Sequence, residues 1–204
     1  MILLANPNAN PVTTAAMCAI AAPWLAGLQG WTAPTGPQVI VTPDQLDRAA
    51  DGIAALHPPA ACRGVIVAAF GDPGADRLAA RLAVPVIGIG AAAAREAAQG
   101  GRAFAVATTT PALRDRIDAL MQGQNGRYLG CHMTDSPNVM RDPDALDHAL
   151  LDAVMRAAAA GAEAVIIGGG PLAQAAVRLA PLSPVPLIQP VPEAARAMAR
   201  LLAG

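Results

Sequence analysis

The residues best equipped for chemistry fall into a few short clusters. Asn6 and Asn8 flank a proline just after the apolar run Ile2-Leu3-Leu4, and Thr108, Thr109 and Thr110 follow a second apolar run, 104–107. Amides and hydroxyls at strand ends, with the N–H groups that open the next helix, suit a small carboxylate or the oxygen of a cyclic imide. The same residue types also suit turns and helix caps. Asp72-Pro73 most simply caps a helix beginning at Pro73, and the functional alternative is a carboxylate facing a ligand. Gly168-Gly169-Gly170-Pro171 is a strand-to-helix turn where backbone can approach a ligand closely, without the longer glycine spacing of a dinucleotide loop. Cys131-His132 is the only adjacent thiol and imidazole, and both groups can move protons near neutral pH. Neighbours on a strand point to opposite faces, so at most one of the two enters a common site. Cys18 and Cys62 read as core and loop residues, and His148 as a helix residue without a partner.

Composition removes several chemistries. None of the 204 residues is lysine, and all 14 basic residues are arginine. A lysine Schiff base to pyridoxal phosphate, a Walker-type phosphate lysine and a Ser-Lys dyad are therefore excluded. The net charge of -1, the lack of a basic block and the five aromatic residues argue against nucleic acid. Three widely spaced cysteines fit a reducing, cytoplasmic compartment, and His57, His132 and His148 form no ligand-spaced metal cluster. No charged residue or histidine precedes Asp44, yet the segment lacks the positive start of a secretory signal, and Pro23 interrupts its apolar run. No membrane span is expected. A helix buried on most of its surface, partly by a second subunit, is the expectation, and with it a homo-oligomer.

These clusters must be positioned by short apolar strands that alternate with alanine-rich helices. The first half reads as strand Ile2-Leu3-Leu4, helix 11–29, strand Val39-Ile40-Val41, helix 44–56, strand Val65-Ile66-Val67, a helix ending near Leu82, strand 86–89 and helix 91–99. The second reads as strand 104–107, helix 111–121, strand 128–133, a helix from Asp142-Pro143 to about residue 160, strand Val165-Ile166-Ile167, a helix, strand 185–188 and helix 192–202. Val65-Ile66-Val67-Ala68-Ala69 matches Val165-Ile166-Ile167-Gly168-Gly169, and Val84-Pro85-Val86-Ile87 matches Val185-Pro186-Leu187-Ile188. Such a repeat predicts an α/β protein of two similar pseudo-symmetric lobes, each a short parallel sheet flanked by helices. Residues 1–98 with 185–204 would form the first lobe and 99–184 the second. Ligands of parallel sheets lie beyond the strand carboxyl ends, so the clusters above would line a cleft between the lobes.

Asn6-Pro7-Asn8, the run Ala69-Phe70-Gly71-Asp72-Pro73-Gly74, Val86-Ile87-Gly88-Ile89, and the segments 104–109 and 164–169 resemble the hydantoin racemase branch of the aspartate/glutamate racemase superfamily. The resemblance spans nearly the whole chain, and Phe-Gly-Asp-Pro-Gly is its most specific part. It implies two α/β lobes and cofactor-free proton transfer by two cysteines at the stereocentre of an amino-acid derivative, cyclic amide or carboxylate. The corresponding positions here are Ala69 and Gly169, which can act as neither acid nor base. A glutamate common after Gly-Ile-Gly is replaced by Ala91. The resemblance carries over Asn8, Thr108 and Thr109 as substrate-binding residues. Ala69, Phe70, Gly71 and Asp72, with Gly169, Gly170 and Pro171, become the walls of the site. Asp72, Cys131 and His132 are the candidate substitutes for the missing thiols. A racemase-like reaction is the leading expectation, with a decarboxylase or lyase, or a non-catalytic small-ligand binder, as the alternatives.

Overall fold

Apolar runs bounded by capped helices form two four-stranded parallel sheets with the same strand order. In a computed structural model, which describes residues 1–134, 142–169 and 172–204, the chain divides into two units. Unit 1 comprises Met1–Ala92 and Val191–Gly204, and unit 2 comprises Ala93–Pro190.

Unit 1 contains β1 (Ile2–Asn6), α1 (Pro11–Ala21), β2 (Leu28–Thr32), α2 (Pro43–Ala54), β3 (Val65–Val67), α3 (Ala75–Arg81), β4 (Val86–Gly88) and the start of α4 (Ile89–Ala97). Its sheet runs β2-β1-β3-β4, all parallel. Side chains alternate across that sheet. Ile2, Leu4, Ile66 and Ile87 pack on α1 and the final helix, while Leu3, Ala5, Val65 and Val67 pack on α2 and α3. Leu4 and Ile66 have no exposed surface, and each such side chain contributes roughly 2 kcal/mol of burial.

Unit 2 contains β5 (Ala103–Thr108), α5 (Arg114–Gln122), β6 (Arg127–Met133), α6 (Pro143–Ala159), β7 (Ala164–Ile167), α7 (Ala173–Leu179) and β8 (Leu187–Ile188). Its order, β6-β5-β7-β8, repeats that of unit 1, strand for strand. Ala105, Ala107, Val165 and Ile167 face α6 and α7. The chain then enters α8 (Pro190–Ala203), most of which belongs to unit 1.

Three helix starts, those of α1, α2 and α6, repeat one local device, a side-chain acceptor followed by proline. Asn10 accepts from Thr13 N, Thr42 forms a capping box with Gln45, and Asp142 accepts from Asp144 N and Ala145 N, each with proline next.

The second strand corrects the sequence reading. The segment Val39-Ile40-Val41 is a loop, with Val39 and Val41 exposed, and β2 lies ten residues earlier, overlapping at 28–29 the end of what reads as the first helix. α1 stops at Ala21, before Pro23, whose ring cannot continue a helix. Gly30 then lets α1 approach β2, because a Cβ there would lie 2.7 Å from Thr14 Cγ2. Pairing with β1 over five residues outweighs the higher strand propensity of the Val-Ile-Val run. The 3₁₀ turn Pro111–Leu113 replaces the expected first turn of α5.

Candidate functional site

The carboxyl end of β1 carries a network of buried amides. Asn6, with no exposed surface, accepts at Oδ1 from the backbone N–H of Asn8 (3.0 Å) and from Asn8 Nδ2 (2.8 Å). Its own Nδ2 donates to Thr14 Oγ1 at 3.0 Å and to Asn10 O at 3.3 Å. The Thr14 hydroxyl lies 2.6 Å from that of Thr32, which ties the start of α1 to the end of β2. Asn8 Oδ1 accepts from Ile40 N at 2.9 Å, so the Val-Ile-Val segment is held in its loop by the asparagine cluster. The two asparagines thus organise the rim of unit 1 before any ligand arrives.

The Ala69-Phe70-Gly71-Asp72 segment follows β3. Ala69 and Phe70 are buried, Gly71 adopts φ +105° and Asp72 φ +49°. Asp72 does not cap the helix beginning at Pro73. That helix, α3, starts at Ala75 after Gly74 and has no side-chain cap. The Asp72 carboxylate instead accepts from Gly90 N (2.7 Å) and Ala91 N (2.6 Å), at the start of α4. A carboxylate on two unpaired N–H groups also meets the positive end of the helix dipole. Gly88 makes room for it, since a Cβ at that position would sit 2.1 Å from Asp72 Cγ. The most specific sequence motif therefore encodes a tether between the end of β3 and the start of α4. Sequence reasoning missed this partner, and the available signal was the glycine pair of Gly88-Ile89-Gly90.

In unit 2, Thr108 is 1% exposed and donates from Oγ1 to Gly168 O at 2.6 Å, which joins the ends of β5 and β7. Thr109 beside it is half-buried. Thr134 N donates to Thr108 O at 3.1 Å, yet Thr134 Oγ1 is buried and has no hydrogen-bond partner among the described residues. Sequence reasoning placed the stretch 131–134 at the strand end without singling out this hydroxyl. Gly169 adopts φ +146°, and a Cβ there would meet Leu172 at 3.3 Å, so any larger residue is strained. Gly170 and Pro171 lie outside the described residues.

Cys131 and His132 take opposite faces of β6, in register with Val106 and Ala107. Cys131 is 5% exposed, and burial pushes its thiol up to about 12, with the Asp118 charge adding and Arg114 and the Tyr128 hydroxyl opposing. It is a protonated thiol at neutral pH. His132 is half-buried, and burial first, then the charges of Arg156 and Arg114, hold its imidazole below the ordinary value. The ring is neutral at pH 7, the form that can accept a proton. Arg114 and Arg156 are themselves anchored on backbone oxygens of Cys131 and Met133, both at 2.6 Å. Of the three candidate proton carriers, Asp72 is tied to a helix end and Cys131 is held as a thiol. The His132 imidazole makes no hydrogen bond among the described residues.

Two parallel α/β units of one strand order carry polar groups at the ends of β1, β3, β5 and β6. The chain belongs to the Asp/Glu/Hydantoin racemase family, whose model matches residues 2–198. Among solved structures it is similar to allantoin racemase from Pseudomonas fluorescens, at 24% identity and a TM-score of 0.87, covering 99% of this chain and 90% of that one. Allantoin racemase from Klebsiella pneumoniae matches at 28% identity and 0.79, covering 99% and 87%. Glutamate racemase from Thermus thermophilus matches at 19% and 0.68, covering 99% and 80%. A comparison with curated protein sequences finds no match. No helix among the described residues is long and apolar enough to cross a membrane.

Proposed function

We propose that this hydantoin racemase-like protein holds a small cyclic amide or carboxylate at the carboxyl ends of its strands and moves a proton at a carbon of that ligand without a cofactor. Thr109, half-buried at the end of β5, is the polar contact, while Asn8 and Thr108, whose polar groups are spent on Asn6, Ile40 and Gly168, shape the strand ends. The observation that carries the reading is the family match over residues 2–198 combined with polar side chains at the ends of β1 and β5. With Ala at 69 and Gly at 169, a thiol pair does not serve, and His132 is the base, because it is neutral and uncommitted. The uncharged first 43 residues and the exposed Val12 on α1 support a homo-oligomer, and three free thiols support a cytoplasmic setting.

The test is hydrogen exchange at C5 of allantoin and of 5-substituted hydantoins, followed by NMR in deuterated water against the protein-free rate. Incorporation that falls at least about tenfold in His132→Gln and persists in Cys131→Ser is expected. Incorporation untouched by His132→Gln would remove the imidazole from the reaction. Thermal stabilisation by these compounds with no exchange would establish a binder in place of an enzyme. Release of carbon dioxide from substituted malonates, without exchange, would favour a decarboxylase.

A further inference from the structure

A second feature of unit 1 lies on the flank of α2 and concerns a different ligand. The turn after β2 and one face of α2 enclose a cavity of about 310 Å³. Its walls are the Trp31 indole, Pro34, Pro37 and Ile53, and among the described residues its only charged lining residue is Arg48. Trp31 is braced from behind by the core of Leu3, Ala5 and Ile53, so its ring is held as a half-buried, fixed surface. Arg48 is exposed, and among the described residues its guanidinium makes no hydrogen bond or ion pair and no carboxylate lines the cavity to neutralise it.

Gly52, in the interior of α2, also lines this cavity. Glycine inside a helix weakens it relative to alanine, so such a position calls for a reason. Elsewhere in unit 1 the chain supplies one, since a Cβ at Gly30, Gly64 or Gly88 would collide with Thr14, Met198 or Asp72. At Gly52 a Cβ would meet nothing within 4 Å. Packing within the chain does not require the glycine, whereas a guest seated against the helix would.

We propose that this cavity binds a planar aromatic or heteroaromatic carboxylate, its ring on the Trp31 indole and against the bare backbone at Gly52, and its carboxylate on Arg48. The volume lies at the lower end of small-molecule sites and suits one or two rings. Aromatic faces attract one another in offset stacks, and a guanidinium pairs with a carboxylate through two parallel N–H donors.

The test is NMR titration of the full chain with benzoate, reading the indole N–H signals of Trp31 and Trp24, assigned with Trp31→Phe. The Trp31 signal should shift saturably while that of Trp24 does not. Benzamide, which keeps the ring and loses the charge, should bind at least about tenfold more weakly, and Arg48→Gln should lower benzoate affinity by a similar factor. Gly52→Ala should raise the melting temperature without benzoate by roughly 2 to 4 °C and weaken benzoate binding at least tenfold. An absent or unsaturable shift, equal binding of benzamide, or undiminished benzoate binding in Arg48→Gln or Gly52→Ala would each overturn the proposal. None of these readouts depends on C5 exchange, so the two proposals stand or fall separately.

Discussion

At the end of β1, Asn6 commits both ends of its amide to Asn8, Asn10 and Thr14, and Asn8 in turn holds Ile40. At the end of β5, Thr108 commits its hydroxyl to Gly168, while the neighbouring Thr134 hydroxyl, also buried, has no partner among the described residues. The two sheets repeat one strand order, yet in the first the polar groups mainly serve the fold, and in the second a polar group remains uncommitted. A repeated topology thus fixes where strand ends lie, and the side chains placed there decide whether an end is a structural joint or an open contact.

The largest effect that would test this contrast is at Asn6. Asn6→Ala leaves the Asn8 N–H and the Thr14 hydroxyl without their partner in a dry site, and about 3 kcal/mol of stability should be lost in urea unfolding. A loss under about 1 kcal/mol would mean that the asparagine cluster is not the joint described above. Asp72→Ala, which removes the acceptor from the first turn of α4, should cost about 2 kcal/mol, with Asp72→Asn intermediate, because one neutral acceptor remains. Equal stability of Asp72→Ala and the parent chain would contradict the tether between β3 and α4.

A smaller but sharper comparison is one of sign. Thr108→Val should destabilise by about 1 kcal/mol through loss of the bond to Gly168, whereas Thr134→Val should be neutral or slightly stabilising, since it removes a buried hydroxyl that lacks a partner. Equal losses in the two variants would erase the distinction between the committed and the open hydroxyl. The smallest effect concerns pH. The fold lowers the His132 value below 6.5, so between the two values the unfolded chain binds more protons. The stability from the neutral ring is complete above that window and declines as pH falls through it. Urea midpoints followed downward from neutral pH should therefore fall less steeply in His132→Gln, and parallel curves would show that burial of this ring carries no such cost.

Much of the fold was legible from local patterns. Apolar runs too short for helices, several of them followed by an Asn, Thr or Asp before proline, mark strands and helix starts, and the match of 65–69 with 165–169 reveals the repeated sheet. The misplaced second strand shows the limit. Val39-Ile40-Val41 has the better strand propensity, but a loop pinned by Asn8 takes it, and Leu28–Thr32 pairs with β1 instead. The site was legible as a set of strand ends. The opposite faces of Cys131 and His132 follow from strand periodicity alone. The attachment of Asp72 to residues 18 and 19 positions further on could not be read that way, because it depends on where β4 ends.

By itself, the sequence determined a parallel α/β chain of two like halves, its place among the racemase-like folds, and the absence of lysine. These are properties of composition and short-range order. Tertiary structure alone decided which segment became β2, that Asp72 holds α4, that Cys131 stays a protonated thiol while His132 stays neutral, and that Gly52 faces an open cavity. Each of those outcomes depends on which distant groups come within a few ångströms, and so on desolvation, close contact and hydrogen bonding that no local pattern contains.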